Sequence, residues 1–332
     1  MRRHAAPARR GSRIVGVGGY RPARVASNEE IRAAIDSTDE WIRRRSGIVS
    51  RRFAAAGETV ADMAVAAGAA AVARAGLRPP EIDVVLLATM SDLQQSPPAG
   101  PGIAYRLGAT AAAAMDLGAA CAGFCHALAV ADALVRAGTA RHVLVVGAEK
   151  MTDIVGPNDR STAFLFADGA GAVVVGPADV PGIGPVVWGA DGSRADLIGH
   201  PEPWSVLREH PDAWPTMGMA GPEVFRWAVQ EVTETARAAL RLAGMDAGDL
   251  AAFVPHQANA RIIDRMAADL GLPESCVVAR DIETTGNTSA ASIPLALDAL
   301  LAAPNPPKGR ALLVGFGAGL SYSAMVVDLP PP

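Results

Sequence analysis

Cys121 offers a nucleophile if something favours its thiolate. It lies in Gly118-Ala119-Ala120-Cys121-Ala122-Gly123-Phe124, a run of small residues and glycines. Leu128, Ala129, Ala131, Leu134 and Val135 follow at helical spacing, and Gly138 ends the pattern. The spacing puts Cys121 at or beside a helix N-terminus, where the partial positive charge favours a thiolate. That field contributes roughly 0.3–2 kcal/mol. It could lower a reference pKa of about 8.5 by up to roughly 1.5 units. Taken alone, a cysteine in such a run is more often a small core hydrophobe. His256, in Val254-Pro255-His256-Gln257-Ala258-Asn259, follows an apolar strand pattern. Asn287 stands in a glycine-bounded turn, Gly286-Asn287-Thr288-Ser289-Ala290-Ala291-Ser292. Singly, such a histidine is more often structural and such an asparagine a helix cap.

The elements that must position these groups come from a chain of 332 residues, half of them hydrophobic, enough for one large domain or two. A net charge of −4 argues against a nucleic-acid partner. Three cysteines are too few for a disulfide framework and point to a reducing, cytoplasmic setting. Cys121, Cys125 and His126 lack the paired spacing of a zinc site, so no metal is expected. No apolar run reaches transmembrane length. The arginine-rich start lacks the apolar segment of a secretory signal, and residues 1–12 read as a flexible extension. Gly16 and Gly18 begin a dinucleotide fingerprint whose third glycine is missing. Ser37 with Glu40 has the spacing of a capping box, and the arginines at 43–45, 51 and 52 form either a solvated face or a phosphate site.

A repeat organises the rest. Ala75-Gly76-Leu77 matches Ala243-Gly244-Met245, Gly118 to Cys121 matches Gly286 to Ser289, and Arg141 to Gly147 matches Gly309 to Gly315. All three share one offset: 244 − 76 = 286 − 118 = 315 − 147 = 168. The chain therefore reads as two α/β units, residues 1–178 and 179–332, with mainly parallel, buried sheets. His256 and Asn287 then fall where the sister half has Ala88 and Ala119. Structural symmetry does not require polar groups there, which suggests one site at the junction of the halves, shared with Cys121.

These residues in these contexts resemble the β-ketoacyl-acyl-carrier-protein synthase III family of the thiolase superfamily. The likeness runs from about Ile14 to Val327. It is carried by Ser37–Gly47, Ala119–Phe124, Asp159–Gly171, Met219–Phe225, Val254–Ile262, Gly286–Pro294 and Gly315–Gly319. The resemblance implies two duplicated βαβαβαββ halves in a layered α/β/α/β/α fold, and a homodimer. It implies that Cys121 takes an acyl group from acyl-CoA as a thioester, with the backbone N–H groups of Cys121 and Ala318 as oxyanion hole. It implies that malonyl-acyl-carrier protein then loses CO₂, with His256 and Asn287 donating to its thioester oxygen and Phe316 facing its carboxylate. It assigns CoA and pantetheine contacts to Ser37, Trp41, Arg45, Arg160, Gly221, Phe225 and Arg261, and needs no cofactor beyond the thioester substrates.

Two departures stand out. Pro222 replaces an asparagine that often follows the glycine at 221, and Ser96 stands where a phenylalanine often closes the acyl pocket across the dimer, implying a roomier pocket. A degradative thiolase would need a second cysteine in Gly315–Gly319, which has none. A non-condensing acyltransferase on the same scaffold remains the alternative, loading a carrier protein or an acceptor hydroxyl. The choice between fatty-acid and polyketide initiation stays open.

Overall fold

The structure is a computed structural model that describes residues 11–203, 205, 206, 209 and 214–331. In the first half come β1 (Gly11–Tyr20), β2 (Arg24–Ser27), α1 (Asn28–Ala34), α2 (Asp39–Ser46), β3 (Ser50–Phe53) and α3 (Val60–Arg74). They lead into β4 (Val84–Ala88), α4 (Ala99–Leu107), β5 (Ala113–Leu117), α5 (Gly123–Arg136), β6 (Val143–Lys150) and β7 (Asp168–Ala178). The second half has β8 (Val187–Ala190), β9 (Ile198–Gly199), β10 (Gly218–Met219), α6 (Gly221–Trp227), α7 (Thr233–Leu242), β11 (Leu250–Pro255) and α8 (Ala260–Leu270). It closes with β12 (Val277–Val278), α9 (Ile282–Thr285), α10 (Ser292–Leu301), β13 (Arg310–Gly317) and β14 (Ser321–Asp328).

One five-stranded sheet has the order β1-β7-β6-β4-β5, and the other, read from its far edge, β8-β14-β13-β11-β12. Direction matches strand for strand: β4 is parallel to β5 and β6, and β11 to β12 and β13, while the other pairings are antiparallel. The sheets are therefore mixed, not mainly parallel. The cause is local: β13 turns directly into β14, and β6 returns to β7 through residues 151–167, in both cases without the crossover α-helix that parallel neighbours need. The duplication extends to register. Val84 faces Val143, and Ala252 faces Ala311, so both partners shift by 252 − 84 = 311 − 143 = 168.

The strands are apolar without a polar face because both faces are covered. In β6, Val143 and Val145 point to a core shared with α5 and α10, while Leu144 and Val146 point to one shared with α3 and α4. In β13, Ala311 and Leu313 join the central core, and Leu312, Val314 and Phe316 face α7 and α8. The layers are thus helix, sheet, the pair α5/α10, sheet, helix. The central pair passes very close to the sheets. A Cβ on Gly147 of β6 would lie 2.3 Å from the Ala290 carbonyl oxygen. Gly147→Ala is expected to destabilise the fold by about 1–3 kcal/mol, the usual range for overpacking, and to lower the melting temperature in a thermal scan; an unchanged melt would refute it.

Several sequence expectations shift. Gly11 and Ser12 are not part of a loose extension: they pair with Ala178 and Pro177, and the Ser12 hydroxyl donates to Asp132 at 2.7 Å. Residues 1–10 and Trp204 lie outside the described residues. The cap of α2 is Thr38, whose Oγ1 accepts from Trp41 N–H at 3.1 Å, so the capping residue is one position later than Ser37. The offset also slips by one at the turn bearing Asn287. Ala120 and Ser289 are the matching left-handed residues (φ 45° and 49°), each opening a short 3₁₀ turn before a central helix. Cys121 thus matches Ala290, and Asn287 matches Gly118. Finally, the connection from β6 to β7 is longer than that from β13 to β14. Val175 faces Val143 while Val327 faces Ala311, so the offset there is 327 − 175 = 152, and 168 − 152 leaves sixteen extra residues in the first half.

Candidate active site

Cys121 sits in the turn Ala120–Ala122, directly before α5 begins at Gly123. It is buried, and the glycine strand of the other half lies against it: a Cβ on Gly317 would come within 2.7 Å of Cys121 Cβ and 3.0 Å of its N. Burial pushes the thiol up to about 12, against a pull downward from the Ser289 hydroxyl bonded to it and with a further push from the charge of Glu149. The helix start alone does not set this thiol, contrary to the expectation of a lowered value. At neutral pH it rests protonated.

His256 extends β11, its N–H donating to Val314 O at 2.7 Å. Its Nδ1 lies 2.7 Å from Ser292 Oγ, which also accepts from Gln257 N–H at 3.2 Å. With that bond accepted, the Ser292 hydrogen is assigned to Nδ1 and the imidazole hydrogen to Nε2. Burial pushes His256 down to about 3, so the ring is neutral. Phe316 meets it edge-on, with centroids 5.2 Å apart.

Asn287 is clamped by the sixteen-residue excursion: its N–H donates to Leu165 O at 2.8 Å, and its carbonyl accepts from Ala167 N–H at 2.9 Å. Its Oδ1 accepts from Ser289 N–H at 2.9 Å, which leaves the amide NH₂ as the side chain's donor. Asn287 lines a cavity of about 630 Å³, together with Arg160 and Phe164 of the excursion and Gly221, Pro222, Phe225 and Arg261 of the second half. Trp41 and Arg45 of α2 also line it, and Trp41, Arg44, Arg45 and Arg261 continue it into a smaller recess of about 300 Å³.

The mouth is held by stacking. The Arg160 guanidinium lies 5.1 Å from the Trp41 ring centroid, Phe164 meets Trp41 edge-on at 5.0 Å, and Arg261 lies 5.4 Å from the Phe225 ring. Asp159 shapes the turn presenting Arg160 by accepting from Ser161 N–H at 2.8 Å and Thr162 Oγ1 at 2.5 Å. From the other side, buried Arg51 donates to Phe164 O at 3.0 Å. Arg43, Arg265 and Arg280 nearby are paired with carboxylates. Arg44, Arg45, Arg160 and Arg261 form no ion pair among the described residues, so their charge remains available to an anionic ligand.

The structure thus gathers Trp41, Arg45, Arg160, Gly221, Phe225, Arg261 and Asn287 around one cavity. Cys121 and His256 do not line it; both are buried, Cys121 against Ser289 and His256 against Ser292, on the segment that follows Asn287. Ala318 is half-buried in the turn after Gly317. Ser37 does not line the cavity, and its Oγ is buried without a hydrogen-bond partner. Ser96 is exposed on the loop between β4 and α4, also outside the cavity of this chain. Among the described residues no cluster of three or more His, Cys, Asp or Glu could hold a metal ion. Sequence reasoning missed three groups. Ser292 was inside a quoted motif, but only the fold turns it toward His256. Phe164 was inside another. Glu149 carries a visible signal, a lone acid ending the apolar run Val143–Ala148.

Comparison with known proteins gives the family of the chain. Residues 115–192 match the family 3-oxoacyl-[acyl-carrier-protein (ACP)] synthase III, and residues 240–329 match its C-terminal domain family. The chain is 53% identical over 328 residues to a β-ketoacyl-[acyl-carrier-protein] synthase III of Streptomyces lividans, covering 98% of this chain and 97% of the relative. It is 51% identical over 321 residues to the enzyme so named in Streptomyces glaucescens, covering 96% of each. Among solved structures, the priming β-ketosynthase of the R1128 polyketide biosynthetic pathway superposes with a TM-score of 0.96, at 53% identity and 98% coverage of both chains. The 3-oxoacyl-(acyl carrier protein) synthase III of Pseudomonas aeruginosa PAO1 gives 0.91 at 39% identity, over 97% of this chain and 99% of that one. With both halves matched and relatives this similar over nearly its whole length, the chain belongs to the 3-oxoacyl-[acyl-carrier-protein] synthase III family of acyltransferases.

Proposed function

We propose that the protein initiates fatty-acid or polyketide synthesis by condensing an acyl-CoA starter with malonyl-acyl-carrier protein. The observation that carries this reading is the position of Asn287. Asn287, whose amide NH₂ is left free to donate, lines a cavity whose mouth combines an Arg160–Trp41 stack with further unpaired arginines. Aromatic and guanidinium faces suit an adenine, and unpaired arginines suit its phosphates. Apolar lining from Leu165, Met219, Val224 and Ile262 suits a pantetheine arm.

In the first half-reaction the Cys121 sulfur attacks the acyl thioester and CoA leaves. The Cys121 N–H and the Ala318 N–H take the developing oxyanion; one such donor is typically worth about 10²–10³ in rate. In the second, the malonyl thioester loses CO₂, and charge grows on its thioester oxygen. A neutral His256 carrying hydrogen on Nε2 and the Asn287 amide both donate there. Phe316 gives the departing carboxylate an apolar face, disfavouring its charge. The carbanion attacks the Cys121 thioester and gives a 3-oxoacyl chain. No cofactor enters any step.

We place this activity in the cytoplasm and in a homodimer. No described helix is long and apolar enough to cross a membrane. The edge strand β5 is largely exposed, Met115 included, with exposed Tyr105 and Leu93 nearby in sequence. A second copy on that edge would bring the exposed Ser96 loop toward its partner's acyl pocket.

One experiment tests the scheme. Intact mass after incubation with a panel of acyl-CoAs is expected to show one acyl adduct, and malonyl-acyl-carrier protein is then expected to release CO₂ with loss of the adduct. Adduct transfer without CO₂ would replace condensation by plain acyl transfer. Weighed as native assemblies, the same samples should show twice the chain mass; a monomer would remove the Ser96 gate.

A further inference from the structure

Glu149 is a buried acid at the end of β6 that the scheme above leaves idle. All of its hydrogen-bond partners are donors. Oε2 accepts from Thr89 Oγ1 at 3.1 Å, Met90 N at 3.1 Å, and Ser91 N and Oγ at 3.2 and 2.5 Å. Oε1 accepts from Ser289 Oγ at 3.0 Å and Ala290 N at 3.4 Å. The Ser91 hydroxyl is itself oriented as a donor, because its oxygen accepts from Lys150 N–H at 2.8 Å. A shell made only of donors holds a carboxylate, while burial pulls toward the neutral acid. The neighbouring Lys150 ammonium does not pair with Glu149, being bonded to Asp153 at 3.2 Å. The facing titratable group is Cys121: its turn, Ala120–Ala122, packs against the turn Ser289–Ala291, which sets the Ser289 hydroxyl, a donor to Glu149, beside the Cys121 sulfur.

We propose that Ser289 and Glu149 form the proton path of Cys121, with Ser289 as the relay and Glu149 as the acceptor. This rests on the reading of Cys121 as the acyl carrier. As the sulfur attacks the thioester, the S–H proton passes to Ser289 Oγ and the Ser289 proton passes to Glu149 Oε1. The CoA thiolate departs and takes a proton from solvent. Glu149 keeps its proton while the acyl-enzyme lives. When condensation frees the Cys121 thiolate, the proton returns by the same route. The cycle then consumes one solvent proton, as the decarboxylative condensation requires.

The test separates this path from plain electrostatics, because the two predict opposite signs. Carboxamidomethylation of Cys121 by iodoacetamide at neutral pH needs no acyl substrate and is mapped by peptide mass. Glu149→Gln and Ser289→Ala are each expected to slow it roughly a hundredfold, a usual contribution from a positioned base. The double variant should be no slower than either single one, and Glu149→Asp should recover part of the rate. Were Glu149 only a nearby negative charge, Glu149→Gln would alkylate faster. Equal or faster alkylation overturns the path. So do losses that multiply in the double variant, which would mark two separate structural defects. A Cys121 that alkylates normally in the wild type yet accepts no acyl group from acyl-CoA would overturn the acyl-carrier reading instead.

Discussion

Cys121→Ala, incubated with acyl-CoA, is expected to show no acyl adduct by intact mass and to lose condensation by about 10⁴-fold or more, as removal of a nucleophile generally does. The other two cysteines make this a sharp test. Cys125 is buried more deeply, and burial pushes its thiol to about 12 as well. It lies one turn into α5, against Gly315 in the central layer, where a Cβ on that glycine would come within 3.1 Å of its sulfur. Cys276 is buried and belongs to the outer core of the second half. What distinguishes Cys121 is its position: the start of α5, the Gly317 backbone and the Ser289 hydroxyl converge on it. An adduct that persists in Cys121→Ala would sink the assignment. Folding should be little affected, because only a sulfur atom is removed.

Asn287→Ala separates the half-reactions. Acylation of Cys121 is expected to stay nearly intact, while CO₂ release from malonyl-acyl-carrier protein falls by about 10²–10³, the usual loss for one oxyanion donor. His256→Ala should behave alike. Equal loss in both half-reactions would count against this division. The pH dependence adds a check on His256. With its folded value near 3, the imidazole stays neutral at every pH above that, so decarboxylation should show no inflection near 6.5. The sign for stability is opposite to that of a paired histidine. In the unfolded chain His256 protonates near its ordinary value, but in the fold only near 3. Its contribution is therefore present above about 6.5 and is lost as pH falls toward 3. A rate that rises or falls with an ionisation near 6.5, absent from His256→Gln, would show instead that the ring titrates.

The duplication was legible because strand register repeats with the chain. Val84 against Val143 and Ala252 against Ala311 preserve the same 168 residues read from the sequence alone. The location of Cys121 at a helix start was legible from the apolar spacing beyond it. Its protonation state was not. A helix start contributes at most about 2 kcal/mol, whereas holding a thiol near 12 against an ordinary 9.0 corresponds to about 4 kcal/mol. Burial depends on what the other half lays over the sulfur, and Gly317 is far away in sequence. The same limit hid Ser292 and Glu149: a pattern of residue types does not say which polar side chains turn inward. Smaller errors were local. Ser37 and Thr38 both suit a cap, and only the backbone chooses. The slip by one at Ser289 came from matching residues by type when the shared feature is a left-handed backbone.

The sixteen extra residues between β6 and β7 leave the strand pairing undisturbed: Lys150 faces Asp168 across the excursion just as Gly317 faces Ser321 across the short turn. That separates two kinds of inheritance in one chain. The paired strands are bound by their neighbours on both faces and change only together. The excursion is held by other parts of the chain, through Asn287, Arg51 and the Trp41 ring, and it supplies one wall of the entrance. Its exposed positions, Arg160 and Ser161 among them, can change without touching the strand pairing, so relatives that share this frame can diverge in what they admit. A chimera exchanging residues 154–164 between two such relatives would carry its donor's taste in ligands into an otherwise unaltered machine.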